Sequence, residues 1–421
     1  MISITVPEFV RQVADEYKST QEMNFGCLSA YFSMCLFGIE TLCDTARAFP
    51  WTPSVSTLNK YLQKFSTNRF MRRLRAKILR KIKEGKIDVE DCCYAIDDTI
   101  VEKYGAKVFR IGTWGKHGSG MIRGQRIMTL VLVVRSKGIA IPLGFEICPK
   151  KDDTEYRSGL DISLELIDSI LANGFPRLPV VFDSWFDSAD FMNKLSQRKM
   201  TFVIECKSNR KIKKNISPRA RWYDWKSFFH KKMRYSVKLN KSENSKHSYK
   251  TKYIAEDYIF LRKYNSRLKA AVVYNKPYGK NYFGIYVTND QKMRCSDIWG
   301  LARSRWRIEE FFRSIKQNLA FLKLPTTNKA AAYASICIPF GIYVKIILSK
   351  QDFSERINVT IDSIIKEIKE TVFEKAINDM TNNKRNKKIL ILKTRRTASR
   401  NNKKPINPTA NQFNEWFVQA A

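Results

Sequence analysis

Short apolar runs in the middle of the sequence constrain the fold more than any other feature. Each run is bounded by polar or turn residues, which is typical of strands. The four clearest are Ile127–Val134, Ile139–Ile147, Leu178–Phe182 and Thr201–Cys206. Segments with the spacing of amphipathic helices, Leu160–Leu171 and Ser188–Arg198, lie among them. Strands that alternate with helices in this way predict a mixed α/β sheet.

The composition on either side of these strands changes several times, which predicts a chain of several regions. Apolar residues at helical spacing dominate both flanks, and alternating segments follow the central strands at Tyr253–Leu261, Leu268–Tyr274 and Tyr282–Thr288. The predicted regions are a helical domain (1–90), a first part of an α/β core (91–206), a β-rich insertion (207–292), a second part of the core with C-terminal helices (293–380), and a basic tail (381–421).

Charge indicates the partner. The sequence has 76 Lys and Arg residues against 40 Asp and Glu residues, a formal net charge of +36. Such a field attracts polyanions, and nucleic acid is the partner that it favours. An anionic membrane surface is the alternative, and the apolar segment Ala330–Leu348 could resemble a membrane span. Because Pro339 and Lys345 interrupt that segment, we expect a buried core helix and no membrane partner.

Cysteine and histidine usage excludes two classes of site. The nine cysteines include no Cys-x-x-Cys pair, and there are three histidines. A zinc site of the Cys/His type and a disulfide framework are therefore not expected. Reduced thiols fit a cytoplasmic protein.

Two basic segments are candidate DNA-binding surfaces. Arg69–Lys86 has nine basic residues and one acid, with an apolar stripe at helical spacing, so Arg72 and Arg73 are candidate DNA contacts. Lys207–Asn240 has twelve basic residues and one acid, interleaved with aromatic residues, and it makes Lys213 and Lys214 candidates too. The alternatives are a solvated helix face and an aromatic core of the insertion.

Two aspartates follow predicted strands. Asp97 comes after Cys93–Ile96, and Asp183 comes after Leu178–Phe182. Strand ends are where α/β proteins place their sites, and carboxylates from separate strands can share Mg²⁺. Each aspartate could instead cap a helix or fill a turn.

A third acid lies in a segment with helical spacing, residues 303–316. At about 100° per residue, Glu309 and Lys316 project onto the face of Arg305, whereas Glu310 projects onto another face. One carboxylate thus lies in a basic stripe, where it could complete a metal site. The alternative is a stripe of surface ion pairs.

These residues resemble the Tyr-x2-Arg-x3-Glu-x6-Lys signature of bacterial insertion-sequence DDE transposases of the insertion-sequence-four group. Arg305, Glu309 and Lys316 match the signature, while Ala302 occupies the tyrosine position. The strand-ending Asp-x-Thr motif of the family resembles residues 97–99, which favours Asp97 over the alternative, Asp98. The second aspartate of the family resembles Asp183.

The resemblance implies an RNase H-like (retroviral-integrase-like) catalytic core with a β-rich insertion, and a helical N-terminal DNA-binding domain. It implies cut-and-paste DNA transposition by Asp97, Asp183 and Glu309, which would hold two Mg²⁺ or Mn²⁺ ions, with Arg305 and Lys316 on DNA phosphates. The implied partners are transposon terminal inverted repeats, target DNA and a second copy of the chain in a synapsed homodimer. A bacterial or archaeal cytoplasm, close to the nucleoid, is the expected location.

Hairpin ends are common in the family that these residues resemble, and such an intermediate would require an unpaired base that stacks on an aromatic side chain. The candidates for that side chain are Trp222, Trp225, Tyr282 and Phe283. Two other functions stay open: a catalytically inactive DNA-binding relic of a transposase, and a structure-specific nuclease on the same core.

Overall fold

The computed structural model describes residues 27, 30–31, 34–35, 41–48, 53–116, 120–217, 219–229, 237–239, 252–275, 282–321, 324 and 326–351. Most of the N-terminal apolar segment and the whole basic tail 381–421 lie outside these residues. The chain divides into two units. The first comprises residues 1–74, 101–124 and 312–421, and the second comprises residues 75–100 and 125–311.

Helices dominate the described part of the first unit. They are α1 (Leu42–Ala48), α2 (Val55–Gln63), the beginning of α3 (Thr67–Lys83), the end of α8 (Trp306–Asn318) and α9 (Lys329–Gln351). Ser54 begins α2, because its hydroxyl accepts a hydrogen bond from the Thr57 N–H at 3.2 Å. The Tyr31 hydroxyl donates to the Leu58 carbonyl at 3.0 Å and so attaches this helix to the preceding segment.

Helix α9 contains the apolar segment that resembled a membrane span. Its residues Lys329–Leu348 have the length and hydropathy of such a span, yet 89% of the most apolar window is buried inside the protein. Gly341 lets the Phe70 ring approach closely, since a Cβ there would lie 2.5 Å from Phe70 Cζ. The burial agrees with the expectation of a core helix.

A strand pair also belongs to the first unit. Strand β2 (Gly112–Lys116) pairs antiparallel with residues 120–124 of β3 (Gly120–Val134). The Lys103 ammonium is buried in this unit and donates to the Leu324 carbonyl at 2.8 Å.

The second unit contains the α/β core. The strands of this core are most of β1 (Cys92–Glu102) and β3, then β4 (Ile139–Ile147), β5 (Val180–Phe182) and β6 (Phe202–Glu205). Its helices are the end of α3, α4 (Gly159–Ala172), a 3-10 turn (Ser184–Phe186) and α5 (Ala189–Gln197). The strand order is β3-β1-β5-β6, with β4 paired to β3. Strands β1, β5 and β6 are parallel, so the mixed α/β sheet predicted from the apolar runs is confirmed.

The β-rich segment extends this same sheet. It consists of β7 (Lys211–Lys213), β8 (Tyr223–Asp224), α6 (Trp225–Phe229), β9 (Val237–Leu239), β10 (Lys252–Leu261), β11 (Leu268–Tyr274) and β12 (Tyr282–Thr288). The sheet continues from β6 as β12-β11-β10-β7-β8, with β9 paired to β10. Strand β12 therefore joins the inserted strands to the core, and α7 (Cys295–Ser304) follows it.

Two predicted boundaries were wrong. Strand β1 does not end before Asp97, because it continues to Glu102, and Asp97 is an internal strand residue. The segment 303–316 is not one helix, because α7 ends at Ser304 and α8 begins at Trp306. Arg305 lies between them with helical dihedral angles (φ −54°, ψ −36°), so the helical projection of the residues after it still applies.

Candidate active site

Strand register brings three acidic residues to one line across the sheet. Ala95 of β1 is paired with Val181 of β5, and Val181 is paired with Val203 of β6. Two residues further along are Asp97 in β1, Asp183 just after the end of β5, and Glu205 in β6. Because side chains alternate between faces with a period of two, these three acids point to the same face as the residues of the paired line. Strand β1 thus contributes Asp97 from its middle, beside the ends of β5 and β6.

A single guanidinium connects this line to the helix that follows the insertion. Arg305 Nη1 lies 3.0 Å from Asp97 Oδ2, and Arg305 Nη2 lies 2.8 Å from Glu309 Oε1. The side chains of Arg305, Asp97 and Glu309 are only 20%, 16% and 33% exposed. Acids from two different elements are therefore held by one partly buried cation.

Ionisation of the aspartates in this site is unfavourable. Burial and the neighbouring Asp183 carboxylate raise the pKa of Asp97 from 3.8 to about 7, although Arg305 opposes the shift. Burial also raises the pKa of Asp183, again against Arg305. Arg305 itself is buried, which lowers its pKa, but Asp97, Glu309 and Asp183 outweigh that effect and raise it. The carboxylates can therefore be ionised together only with a cation beside them.

Asp97 and Asp98 have different partners. Asp98 accepts two hydrogen bonds from Arg126, from Nε at 2.8 Å and from Nη2 at 2.7 Å. Asp97 instead contacts Arg305 and accepts the backbone N–H of Asp98 at 2.8 Å. The bidentate pair commits both oxygens of Asp98 to Arg126, whereas Asp97 points to the acidic line. This geometry favours Asp97 over Asp98 as the site residue.

Glu309 and Glu310 separate in the same way. Glu310 pairs with Arg307 at 2.6 Å. A Cβ on Gly138, in the β3–β4 turn, would lie 2.9 Å from the Arg307 guanidinium. Glu309 faces Arg305 one helical turn earlier. The projection that separated the two glutamates thus agrees with the contacts in the structure.

Glu205 is a candidate site residue that the sequence did not single out. Burial raises its pKa, Asp183 raises it further, and Arg305 lowers it, so all three groups share one electrostatic environment. The signal was available, because Thr201–Cys206 is a predicted strand with an acid near its end, like the strand before Asp183. Knowledge that the two strands are parallel neighbours was needed to use it.

The predicted DNA contacts lie apart in the sequence and on several elements. Arg72 is exposed on α3, and Arg73 beside it has a lowered pKa because of burial and the nearby Arg69 and Arg72. Lys213 on β7 contacts the Trp222 ring at 4.9 Å, and Lys214 is exposed. Lys316 lies near the end of α8, in the first unit, and is partly buried.

One of the four aromatic candidates for base stacking is excluded. Trp225 is 1% exposed and stacks on Phe229, with ring centroids 5.9 Å apart, so it belongs to the core of the insertion. Trp222 is 39% exposed. The side chains of Tyr282 and Phe283 lie outside the described residues.

The donor set fits a hard divalent cation by its chemistry. Every candidate ligand is a carboxylate oxygen, the type that Mg²⁺ and Mn²⁺ prefer. Arg305 supplies the positive charge that the acids require. Within the described ranges, however, no three Cys, His, Asp or Glu side chains are already placed to hold one ion. Asp97 and Glu309 both contact the Arg305 guanidinium, so metal binding would require the Arg305 side chain to move away from them.

The comparison with protein families decides the class of the chain. Residues 89–345 match the family described as "Transposase DDE domain", which is more than half of the chain. The chain belongs to the transposase DDE domain family. Asp97, Asp183, Glu205 and Arg305 all lie within the matched residues. The mixed α/β sheet of this DDE chain fits an RNase H-like core.

Comparison with curated proteins gave no match for this DDE transposase. Among solved structures, the chain is similar to a piggyBac transposase synaptic complex with hairpin DNA, determined by cryo-electron microscopy. The TM-score is 0.42 and the identity 12%, over 96% of this chain and 84% of that chain.

Proposed function

We propose that this chain binds the terminal inverted repeats of a transposon and catalyses the cleavage and joining of DNA strands with two divalent metal ions. The observation that carries the proposal is the convergence of Asp97 and Glu309 on the Arg305 guanidinium, with Asp183, just after β5, in the same electrostatic environment. Family membership supports the reaction class, and the formal net charge of +36 supports a DNA partner.

In this proposal the three carboxylates hold the ions, and Glu205 adds negative charge beside Asp183. The two ions, when bound, activate the attacking oxygen and stabilise the leaving oxygen of the phosphodiester. Asp97 is held inside a strand of the sheet, and Asp183 is held at the end of β5 by the backbone N–H of Trp185. Glu309 comes from a helix that begins one residue after Arg305, so the two side chains share one local frame.

Arg305 has two roles in the proposal. Without metal it neutralises the carboxylates that would otherwise repel one another. If metal ions took its place beside the carboxylates, its guanidinium would be available to contact a DNA phosphate, for which its planar donors are suited. Lys316, Arg72, Arg73, Lys213 and Lys214 are the further proposed phosphate contacts, and a homodimer that brings both DNA ends together is the proposed assembly.

The test is a plasmid assay with the purified full-length chain, Mg²⁺ and the element with its own terminal repeats. Asp97→Asn, Asp183→Asn and Glu309→Gln should each lose strand cleavage while binding of the DNA ends persists. Two matched controls, Glu310→Gln and Asp190→Asn, should cleave like the parent, because Glu310 pairs with Arg307 and the Asp190 side chain is 75% exposed.

The same assay separates the alternatives. End binding without any cleavage by the parent chain would indicate a DNA-binding relic. Cleavage without joined products would indicate a structure-specific nuclease. Parental activity of Glu309→Gln, with loss of activity in Glu310→Gln, would overturn the assignment of the third acid.

A further inference from the structure

An exposed tryptophan lies two residues after Asp183. Trp185 occupies the middle of the 3-10 turn, and its residue is 41% exposed. Its neighbour Phe186 is 1% exposed and belongs to the core. Because consecutive Cα atoms are about 3.8 Å apart, the Trp185 backbone lies within about 8 Å of the Asp183 backbone. A large aromatic surface is therefore available beside a proposed catalytic acid.

The position of Trp185 is fixed from several sides. Its backbone N–H donates to Asp183 Oδ1 at 2.9 Å, so the turn that carries the indole also orients that carboxylate. The indole packs edge-on against Phe186, with ring centroids 4.9 Å apart and an interplanar angle of 85°. A Cβ on Gly159, the first residue of α4, would lie only 2.7 Å from Trp185 Cη2. The helix thus begins with the one residue that leaves room for the ring.

A cation also holds the indole. Arg126 Cζ lies 4.7 Å from the ring centroid, at a distance typical of a cation–π contact. The same guanidinium is committed to Asp98 by two hydrogen bonds. Trp185 therefore contacts Asp183 through its backbone N–H, and its ring lies beside the ion pair of Arg126 with Asp98, the neighbour of Asp97.

A rigid, exposed aromatic loses little conformational entropy when a ligand covers it. The ligand that suits it here is a nucleobase, because every base has a π-face and stacking on an aromatic side chain contributes about 1–3 kcal/mol. A base inside the duplex cannot reach a protein ring, so the base must be unpaired. The phosphate beside such a base would lie near Asp183.

We propose that Trp185 is the platform on which an unpaired nucleobase next to the scissile phosphate stacks, and that it positions the DNA end for cleavage. The inference rests on the proposed function. It assigns base stacking to the turn that follows Asp183, and not to Trp222, the remaining described candidate in the insertion. Trp185 is a positioning residue, since the chemistry belongs to the carboxylates.

The first experiment uses Trp185→Ala, Trp185→Phe and an end duplex with or without an abasic site at the unpaired position. On the intact end, Trp185→Ala should cleave about tenfold more slowly or worse, since about 1.4 kcal/mol is a factor of ten. Trp185→Phe should retain most of the activity. The abasic end should restore Trp185→Ala to within a few fold of the parent, because no base then needs to be held outside the stack.

The matched control is Tyr258→Ala. Tyr258 is an exposed aromatic residue too, at 36%, with the Arg267 guanidinium 4.4 Å from its ring centroid. This variant should behave like the parent on both duplexes. A loss in Trp185→Ala that is equal on intact and abasic ends would indicate a purely structural role and would overturn the inference.

A second measurement uses the parent chain and requires neither a variant nor cleavage. Photo-crosslinking with 5-iodouracil placed at each position around the cleavage site should give a crosslinked peptide that contains Trp185. A crosslink to Trp222 instead would contradict the inference. Failure of the proposed function is distinct, since it would appear as a parent chain that neither cleaves nor depends on Asp183.

Discussion

Asp97 shows how much of the site is determined by single residues. Its carboxylate is buried beside Asp183, and these two facts raise its pKa to about 7. The sequence could indicate an aspartate after an apolar run, but not the identity of its neighbours. Asp98 was the alternative because the two residues are adjacent. The contacts that separate them, Arg305 for Asp97 and Arg126 for Asp98, span 208 and 28 residues of sequence.

Replacement of Asp97 should stabilise the metal-free protein in a pH-dependent way. The pKa of Asp97 rises from 3.8 to about 7 on folding, so ionisation of this group opposes folding increasingly as the pH rises through that window. Asp97→Asn removes the penalty. We expect its melting temperature in EDTA to equal that of the parent near pH 4 and to exceed it increasingly up to about pH 7. Thermal melts from pH 4 to pH 8 measure this.

Asp98→Asn is the control for that series. Its carboxylate accepts two charge-assisted hydrogen bonds from Arg126, and both side chains are about one fifth exposed. The substitution should lower the melting temperature, because Arg126 loses its counter-charge. If the melting temperature of Asp97→Asn did not rise above that of the parent between pH 4 and pH 7, the inference that burial disfavours ionisation of Asp97 would be wrong.

At the level of helices and strands, the sequence predicted the type and range of an element better than its neighbours in the sheet. The three alternating segments of the insertion were predicted at 253–261, 268–274 and 282–288, and β10, β11 and β12 occupy nearly those residues. The pairing of β12 with β6 could not be predicted, since it joins residues far apart in the sequence. For the same reason Glu205 was missed, because its place beside Asp183 depends on pairing.

The helix break at Arg305 was also beyond prediction. Helical periodicity continues from α7 into α8, and Arg305 keeps helical dihedral angles. The break is visible only as a change of hydrogen bonding, in which the Ile308 N–H donates to the Arg305 carbonyl at 3.0 Å, a three-residue step. Arg305 thus lies at a junction, where its side chain reaches Asp97.

Strand packing in the first unit makes a separate prediction at Gly124 of β3. A Cβ there would collide with the backbone carbonyl of Val101, a contact that cannot relax by side-chain rotation. Gly124→Ala should therefore destabilise the protein by about 1–3 kcal/mol or more. Urea denaturation measures the change.

Gly300→Ala provides the comparison. Gly300 is inside α7, and a Cβ there would meet only the Arg135 guanidinium, at 3.4 Å. Because alanine favours helix over glycine by about 1 kcal/mol, this variant should be neutral or more stable. Equal destabilisation by both substitutions would show that the close approach at Gly124 does not limit stability.

For the molecule as a whole, charge was the most informative property of the sequence. A net charge of +36 indicated nucleic acid before any motif was considered, and the family match places the chain among transposases. The mixed sheet followed from the apolar runs. The division into two units could not be predicted, because each unit is assembled from separated stretches of sequence.

Binding of DNA by the full-length chain should depend steeply on salt. Each neutralised phosphate releases counterions, so a protein with about 6–10 phosphate contacts loses about 10³–10⁵ in affinity between 50 and 200 mM salt. Fluorescence anisotropy with a duplex of the terminal repeat measures the slope. Combined replacement of Arg72, Arg73, Lys213 and Lys214 by Gln should reduce the slope, whereas Tyr258→Ala should leave it unchanged. An unchanged slope in the combined variant would remove these residues from the DNA surface.

The central claim is that Asp97, Asp183 and Glu309 together bind divalent metal. Anomalous diffraction from crystals of the full chain grown with Mn²⁺ tests it most directly. We predict anomalous density between these three carboxylates and an Arg305 side chain that has moved away from Asp97. Density at Asp98 or Glu310, or an unmoved Arg305 with no Mn²⁺ beside Asp97 at saturating concentration, would contradict the account.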